Sequence, residues 1–135
     1  MTTKFSSEIS VRPDDIDQFQ HVHNSRYFDY VQAARYEQMV TCYKMPMEEF
    51  MLMGYGWVVK KATINFKRPL VMGDVVVVST QVKSIEGTDC LVEFEMLNKK
   101  SGKVCADGEM NYTMISLKTG RSEKIPDHIK EKYSI

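Results

Sequence analysis

The chain is poor in cysteine and has no excess of charge of either sign. Its three cysteines, Cys42, Cys90 and Cys105, are odd in number, far apart and without CxxC spacing. That pattern fits free thiols better than a disulfide framework or a cysteine zinc site. The eighteen basic and eighteen acidic side chains cancel to a formal charge of zero. A nucleic-acid partner held mainly by phosphate contacts is therefore not expected.

Long apolar runs are also missing. The first ten residues, MTTKFSSEIS, contain no apolar core of signal-peptide length, and no later window approaches the roughly twenty apolar residues of a membrane span. These absences predict a cytoplasmic protein without a membrane partner. At 135 residues the chain has the length of one domain, residues 1–135, whose core needs no disulfide or metal.

The first third of the chain predicts one strand and one long helix. Apolar and polar residues alternate from residue 5 to 12, and Pro13 ends this strand because it lacks a backbone donor. Apolar side chains at helical spacing then predict a helix over about residues 25–42, with Asn24 as its N-cap. The following MEEFM segment predicts one more short helical turn.

Strand patterns fill most of the remaining chain. In LVEFEML, for example, Val92, Phe94 and Met96 share one face of the predicted strand. Five antiparallel strands and one helix predict a two-layer α+β domain, a sheet wrapped around one long central helix, which is the hotdog fold. Its unpaired sheet edges predict a homodimer or homotetramer. The four later strands are predicted at residues 57–67, 75–82, 91–97 and 104–117.

Titratable side chains are crowded into the loop between the first strand and the helix. The segment RPDDIDQFQHVHNSRYFDY, residues 12–30, carries Asp14, Asp15 and Asp17 ahead of the helix start. A helix N-terminus presents unpaired N–H groups and the positive end of the helix dipole. A carboxylate beside such amides suits attack on a carbonyl, directly or through water. This chemistry does not by itself distinguish the three aspartates, and an aspartate ahead of a helix is most often a turn or capping residue.

The same loop carries a resemblance to a known family. RPDDIDQFQHVHNSRYFDYVQAAR resembles the signature of the acyl-CoA thioesterases of the 4-hydroxybenzoyl-CoA thioesterase clade of the hotdog superfamily. That signature has an Asp-x-Asp pair, a His-Val-Asn-Asn-like segment and an aromatic helix start ending in Ala-Arg. INFKRPLVMGD and TGRSEKIP are similar to the family's Phe-x-x-Pro-x-x-x-Gly-Asp turn and closing segment, so the resemblance spans nearly the whole chain. Gln20 departs from it by replacing a turn glycine, and His23 by replacing Asn or an aromatic residue.

The resemblance implies an acyl-CoA thioesterase that forms free acid and CoA without a cofactor. Asp17 matches the catalytic carboxylate, as a nucleophile or a general base, and the Asn24 amide matches the position that polarises the thioester carbonyl. His21 occupies the histidine of the signature, where it either orients water or the carbonyl or caps the loop. Asp15 is expected to be structural.

Further residues are expected to contact the substrate. Tyr27 and Phe28 are predicted to line the acyl pocket as part of the core. Lys67 and Arg68 lie in the densest basic patch and are candidates for the phosphates of CoA, although such a patch is usually only a solvated strand face. Arg35 on the helix is expected to form a structural ion pair. No metal site is expected, because the histidines and aspartates of the loop have no second cluster of ligands.

Two alternatives remain open at this stage. The carrier of the acyl group could be acyl carrier protein (ACP), so that a protein docking patch replaces the nucleotide site. A non-catalytic acyl-binding hotdog module would keep the fold and pocket without turnover. The sequence does not determine the acyl chain, the choice between dimer and tetramer, or the choice between nucleophile and general base.

Overall fold

The computed structural model describes residues 2–135, which form five strands, three α-helices and two short 3-10 helices. The strands are β1 (Lys4–Ser10), β2 (Tyr55–Phe66), β3 (Val75–Glu86), β4 (Asp89–Asn98) and β5 (Val104–Ser116). The α-helices are α1 (Tyr27–Thr41), α2 (Met47–Leu52) and α3 (Asp127–Lys132). The 3-10 helices cover Pro13–Asp15 and Asn24–Arg26, and the second leads directly into α1.

The strands form one antiparallel sheet in the order β1-β3-β4-β5-β2. Two hairpins link β3, β4 and β5, while β1 pairs with β3 and β2 pairs with β5. The first strand of the chain and the strand after α2 are therefore the two edges. The predicted α+β class, with a five-stranded antiparallel sheet and one long helix, is confirmed.

Helix α1 covers the apolar face of the sheet. Its buried residues recur at helical spacing. The sheet contributes alternating buried residues, such as Val92, Phe94 and Met96 of β4. One buried polar side chain, Gln38, is satisfied within the core: its Nε2 donates to Ser7 Oγ at 3.1 Å, and its Oε1 accepts from the Thr80 hydroxyl. The buried residues of α1 are Tyr27, Tyr30, Val31, Ala34, Arg35, Gln38 and Met39.

Gly108 lets two strands approach closely. A Cβ built on this residue of β5 would overlap the carbonyl oxygen of Thr63 in β2 and would also lie 2.9 Å from the Phe94 ring. Because backbone cannot move aside as a flexible side chain can, only glycine fits this position. The role of Gly108 is thus to permit the close approach of β2 to β5.

The C-terminal helix α3 was not predicted from the sequence. It has only six residues, too few to give a clear helical period, and packing against the core fixes it instead. Ile129 and Tyr133 are buried, the Tyr133 ring stacks on Tyr43 at 4.3 Å, and the Tyr133 hydroxyl donates to the Met45 carbonyl at 2.6 Å. Across residues 2–135, no helix is both long and apolar enough to cross a membrane.

Candidate active site

A tight turn shapes the loop that follows β1. Ile16 and Val22 form an antiparallel bridge, the Asp17 amide donates to the His21 carbonyl at 2.8 Å, and the Gln20 amide donates to the Asp17 carbonyl at 3.0 Å. Gln20 has a φ of 66°, in the left-handed region that glycine adopts most easily. Gln20 therefore adopts a left-handed backbone conformation that a glycine would adopt with less strain.

The turn fixes one oxygen of the Asp17 carboxylate. Oδ1 accepts hydrogen bonds from the amides of Phe19 at 2.8 Å and His21 at 3.2 Å. Among residues 2–135, Oδ2 takes part in no hydrogen bond or ion pair. Partial burial would raise the Asp17 pKa, but the two amides and the nearby imidazoles of His23 and His21 outweigh it and lower the pKa below its ordinary value. Asp17 is therefore ionised at neutral pH and has one unengaged oxygen.

Asp15 has very different surroundings, although it lies only two residues away. It is 4% exposed, its Oδ2 accepts from the Tyr30 hydroxyl at 2.8 Å, and its Oδ1 lies 3.4 Å from Arg26 Nε. Its backbone carbonyl also accepts from the His23 amide at 2.9 Å. These contacts tie the loop to the helix start, which fits the structural role expected for Asp15.

Asp14 faces solvent. Its carboxylate pairs with Arg12 at 2.7 Å, and both side chains are 65% exposed. The Arg12 guanidinium lowers the Asp14 pKa, first through this hydrogen bond. Geometry thus separates three aspartates that the sequence pattern alone could not: one is exposed, one is buried and paired, and one is held by amides with an oxygen free.

The helix begins differently from the prediction. His23, not Asn24, is the N-cap residue, and no side chain caps the 3-10 turn Asn24–Arg26. The predicted side-chain cap at Asn24 is wrong because the tight 3-10 turn starts one residue earlier and makes Asn24 its first helical residue. The Asn24 backbone amide, however, lies at the open end of a continuous 3-10 and α-helical segment and donates no backbone hydrogen bond within residues 2–135.

Tyr27 and Phe28 belong to the core, as predicted. Tyr27 is 2% exposed, its ring meets Phe66 edge-on at 5.0 Å, and its phenol oxygen accepts from the Leu70 amide at 3.3 Å. Phe28 is half-buried and meets Phe94 edge-on at 6.5 Å. Their predicted role as acyl-pocket walls stays a prediction.

The segment after β2 brings two basic residues toward the same end of α1. Phe66 and Leu70, on either side of Lys67 and Arg68, both contact Tyr27 at the helix start. Both cations already have protein partners: Lys67 Nζ lies 2.7 Å from Asp107 Oδ2, and Arg68 Nη1 donates to the Val104 carbonyl at 2.9 Å. The two side chains are nevertheless exposed.

The ion pair predicted for Arg35 is absent from residues 2–135, so that prediction is wrong. It is only 7% exposed and forms no ion pair with any residue in 2–135, and its Nη1 has no hydrogen-bond partner there. Its guanidinium carbon lies 5.4 Å from the centre of the Tyr43 ring. The ion pair is absent because α1 turns this position toward tyrosines and apolar side chains instead of toward a carboxylate.

No cluster of three or more His, Cys, Asp or Glu side chains placed to hold a metal ion occurs in residues 2–135. Cys42, Cys90 and Cys105 are free, as predicted. Burial raises the pKa of Cys90 to about 11, so this thiol remains protonated at neutral pH.

Known proteins resemble this chain in sequence and in fold. The thioesterase-like superfamily matches residues 11–133. The long-chain acyl-CoA thioesterase FadM of Escherichia coli K12 is 26% identical over 129 residues, which cover 93% of this chain and 94% of that protein.

Two solved structures from Staphylococcus aureus superpose closely. The DHNA-CoA thioesterase has a TM-score of 0.89 at 19% identity, covering 97% of this chain and 89% of that one. The hypothetical protein SAV2348, solved in complex with CoA, has a TM-score of 0.85 at 16% identity, covering 98% and 82%. These likenesses confirm the predicted hotdog fold.

Proposed function

The chain belongs to the thioesterase-like superfamily and is a thioester hydrolase, and we propose that it hydrolyses acyl-CoA to a free acid and CoA, with Asp17 as the catalytic carboxylate. The observation that carries this proposal is the state of Asp17. Two amides hold Oδ1 and leave Oδ2 unengaged. The lowered pKa keeps the carboxylate ionised at neutral pH, although it also makes the group a weaker base. A carboxylate that is charged, oriented and free at one oxygen is equipped to attack carbon or to accept a proton.

Two routes use the same oxygen. As a nucleophile, Asp17 Oδ2 bonds to the thioester carbon, the C–S bond breaks and CoA leaves as a thiolate; water then hydrolyses the mixed anhydride and restores the carboxylate. As a general base, Oδ2 takes a proton from water while the water oxygen bonds to the same carbon and the thiolate leaves. The thiolate takes up a proton in both cases.

The helix start supplies the complementary charge. The Asn24 amide and the positive end of the helix dipole stabilise the oxyanion that develops on the carbonyl oxygen. The backbone N–H of His21 donates a hydrogen bond to Asp17 Oδ1. The backbone of His21 therefore orients the carboxylate whether or not the His21 imidazole contacts the substrate. We retain the imidazole of His21 as a candidate for orienting water.

The nucleotide end of CoA is assigned to Lys67 and Arg68, and the acyl end to the side of Tyr27 and Phe28. Phe66 and Leu70 contact Tyr27 at the helix start. Lys67 and Arg68, which lie between them in the chain, are therefore near a substrate whose thioester lies at Asn24. Phosphate would compete with Asp107 for Lys67 and would use the guanidinium N–H groups of Arg68 that do not bond to Val104. FadM, a long-chain acyl-CoA thioesterase, supports the acyl-CoA assignment.

We also propose that the protein assembles as a homodimer or homotetramer through β2, with the active site near the boundary. Both β1 and β2 are sheet edges, but β1 exposes polar and charged residues such as Lys4 and Glu8, which protect an edge from pairing. In contrast, β2 exposes three large apolar side chains beside its own Lys60 and Lys61: Val58 and Val59, each 42% exposed, and Phe66 at 44%. The free thiols fit a reducing compartment, and we place the protein in the cytoplasm.

Release of free thiol from a panel of acyl-CoA thioesters tests the proposed activity. Acyl-ACP and short acyl-pantetheine thioesters serve as parallel substrates. We expect the largest kcat/KM for acyl-CoA. Preference for acyl-ACP would reassign the carrier, and binding of acyl-CoA without turnover of any thioester would show a non-catalytic acyl-binding module.

A further inference from the structure

A cavity lies away from the Asp17 turn, between the later turns of α1, the β3–β4 hairpin and the C-terminal helix. Its volume is about 380 Å³, within the range of small-molecule sites. Its apolar walls include Met39, Met47, Trp57, Ile85, Ile125 and Ile129. Gln32, Ala33 and Tyr36, all exposed on α1, line its rim.

This cavity contains a buried positive charge without a counter-ion. Arg35 lines it and is only 7% exposed, yet forms no ion pair with any residue from 2 to 135. The hydroxyls of Tyr43 and Tyr112 lie close enough to the guanidinium to interact with it. Neither hydroxyl supplies a negative charge, and Arg35 Nη1 and the Tyr43 hydroxyl, both buried, form no hydrogen bond of good geometry within residues 2–135. A buried charge is costly unless it is paired, so this arrangement calls for an anion from outside the chain.

The neighbours of Arg35 cannot supply that anion. Burial raises the pKa of Tyr112 to about 12 and the pKa of Cys90 to about 11. The positive charge of Arg35 lowers both pKa values, but by less than burial raises them. Burial also raises the pKa of Tyr43. These groups are therefore neutral near pH 7. Glu49 is near enough to affect Tyr133, but it is exposed and forms no ion pair with Arg35.

We propose that this cavity binds an apolar monocarboxylic acid, whose carboxylate pairs with Arg35 and whose hydrocarbon body packs on the apolar walls. A single anionic group on an apolar body matches one buried cation in a mainly apolar cavity, whereas phosphates or dicarboxylates would bury charge without a partner. The planar guanidinium suits a carboxylate, which it can bind through two parallel hydrogen bonds.

The proposed acid site is separate from the Asp17 site. Arg35 lies eleven residues after Asn24, or about 16 Å further along the helix at its usual rise. None of Asp17, Asn24, Tyr27 and Phe28 lines the cavity. The inference therefore does not depend on the proposed reaction, and a binding measurement without any thioester tests it alone.

Trp57 provides the readout, because it lines the cavity and is the one tryptophan of the chain. Decanoate and decanol, which share an apolar chain and differ in charge, are titrated at pH 8 while Trp57 emission is recorded. We expect saturable binding of decanoate with a Kd about tenfold or more below that of decanol, the ratio typical of a charge-assisted hydrogen bond. Equal affinities would overturn the proposal.

Arg35→Met removes the charge and keeps an unbranched apolar side chain. We expect decanoate to lose about tenfold or more in affinity while decanol is unchanged, since only the acid uses the charge. Arg121→Met is the matched control, because Arg121 is exposed in the turn after β5; it should leave both affinities unchanged. Loss of decanol and decanoate binding to the same extent in folded Arg35→Met would contradict the proposed carboxylate contact.

Ala33→Phe tests the location without touching the core. Ala33 is exposed at the rim, so the larger side chain should fold normally and weaken both ligands by obstructing the cavity. If Arg35→Met does not fold, Ala33→Phe together with the decanoate-to-decanol ratio of the wild type decides the question. Unaltered decanoate binding by Ala33→Phe would place the ligand elsewhere and overturn the proposal.

Discussion

The amide of Phe19 donates a 2.8 Å hydrogen bond to Oδ1 of Asp17, two residues earlier in the chain. With the amide of His21 on the same oxygen, this bond fixes the direction of the carboxylate and favours its charged form. The loop therefore orients its base or nucleophile with main-chain donors, which do not titrate. The other oxygen remains free to react.

The pH dependence of kcat/KM should follow Asp17. Its pKa lies below the ordinary 3.8, so the charged form persists as the pH falls toward that value, and protonation removes activity only below it. We expect a profile without an acid limb between pH 8 and 5, measured with circular dichroism at each pH to confirm folding. An inflection near the ordinary histidine pKa of about 6.5 would instead identify an imidazole as the titrating group.

Assembly through β2 should respond to charge on that strand. Light scattering should show a dimer or tetramer for the wild type. Val59→Lys places a charge on the exposed edge and should shift the protein to a smaller species with lower activity. Val40→Lys on α1 is the control, since Val40 is also 42% exposed. A stable wild-type monomer with full thioesterase activity would exclude a site that depends on the subunit boundary.

The two basic residues after β2 should affect the nucleotide end of the substrate alone. Replacing both Lys67 and Arg68 by Gln should raise KM for acyl-CoA far more than for an acyl-pantetheine thioester, which lacks the nucleotide phosphates. Asp107→Asn removes the carboxylate that pairs with Lys67 and should lower KM for acyl-CoA. Equal changes for both substrates would mean that Lys67 and Arg68 only support the strand.

Much of the fold could be predicted from hydrophobic periodicity. The order of strands and helix was recoverable because long elements such as β4 have an apolar face, to which Val92, Phe94 and Met96 belong. In β2 that face is largely exposed. The short helix α3 was not predicted, because it depends on contacts such as the stacking of Tyr133 on Tyr43 that are distant in sequence.

The site was only partly predictable for a similar reason. Asp17 was singled out by resemblance, since sequence chemistry cannot reveal that Asp15 is buried against Tyr30 while Asp17 keeps a free oxygen. The missing partner of Arg35 and the cavity around it depend on where α1 rotates each side chain against the sheet. No local sequence pattern shows how α1 is rotated against the sheet.

The kcat of Asp17→Asn with acyl-CoA decides whether Asp17 carries out the chemistry. This substitution keeps the size of the side chain and an oxygen for the amides of Phe19 and His21, but removes the charge. We predict that kcat falls by about two to four orders of magnitude with little change in KM, as expected for loss of a general base. Asp14→Asn, at an exposed carboxylate of the same loop, should leave kcat unchanged. Near-wild-type turnover by Asp17→Asn, with activity lost instead in His21→Ala or Asp15→Asn, would contradict this assignment.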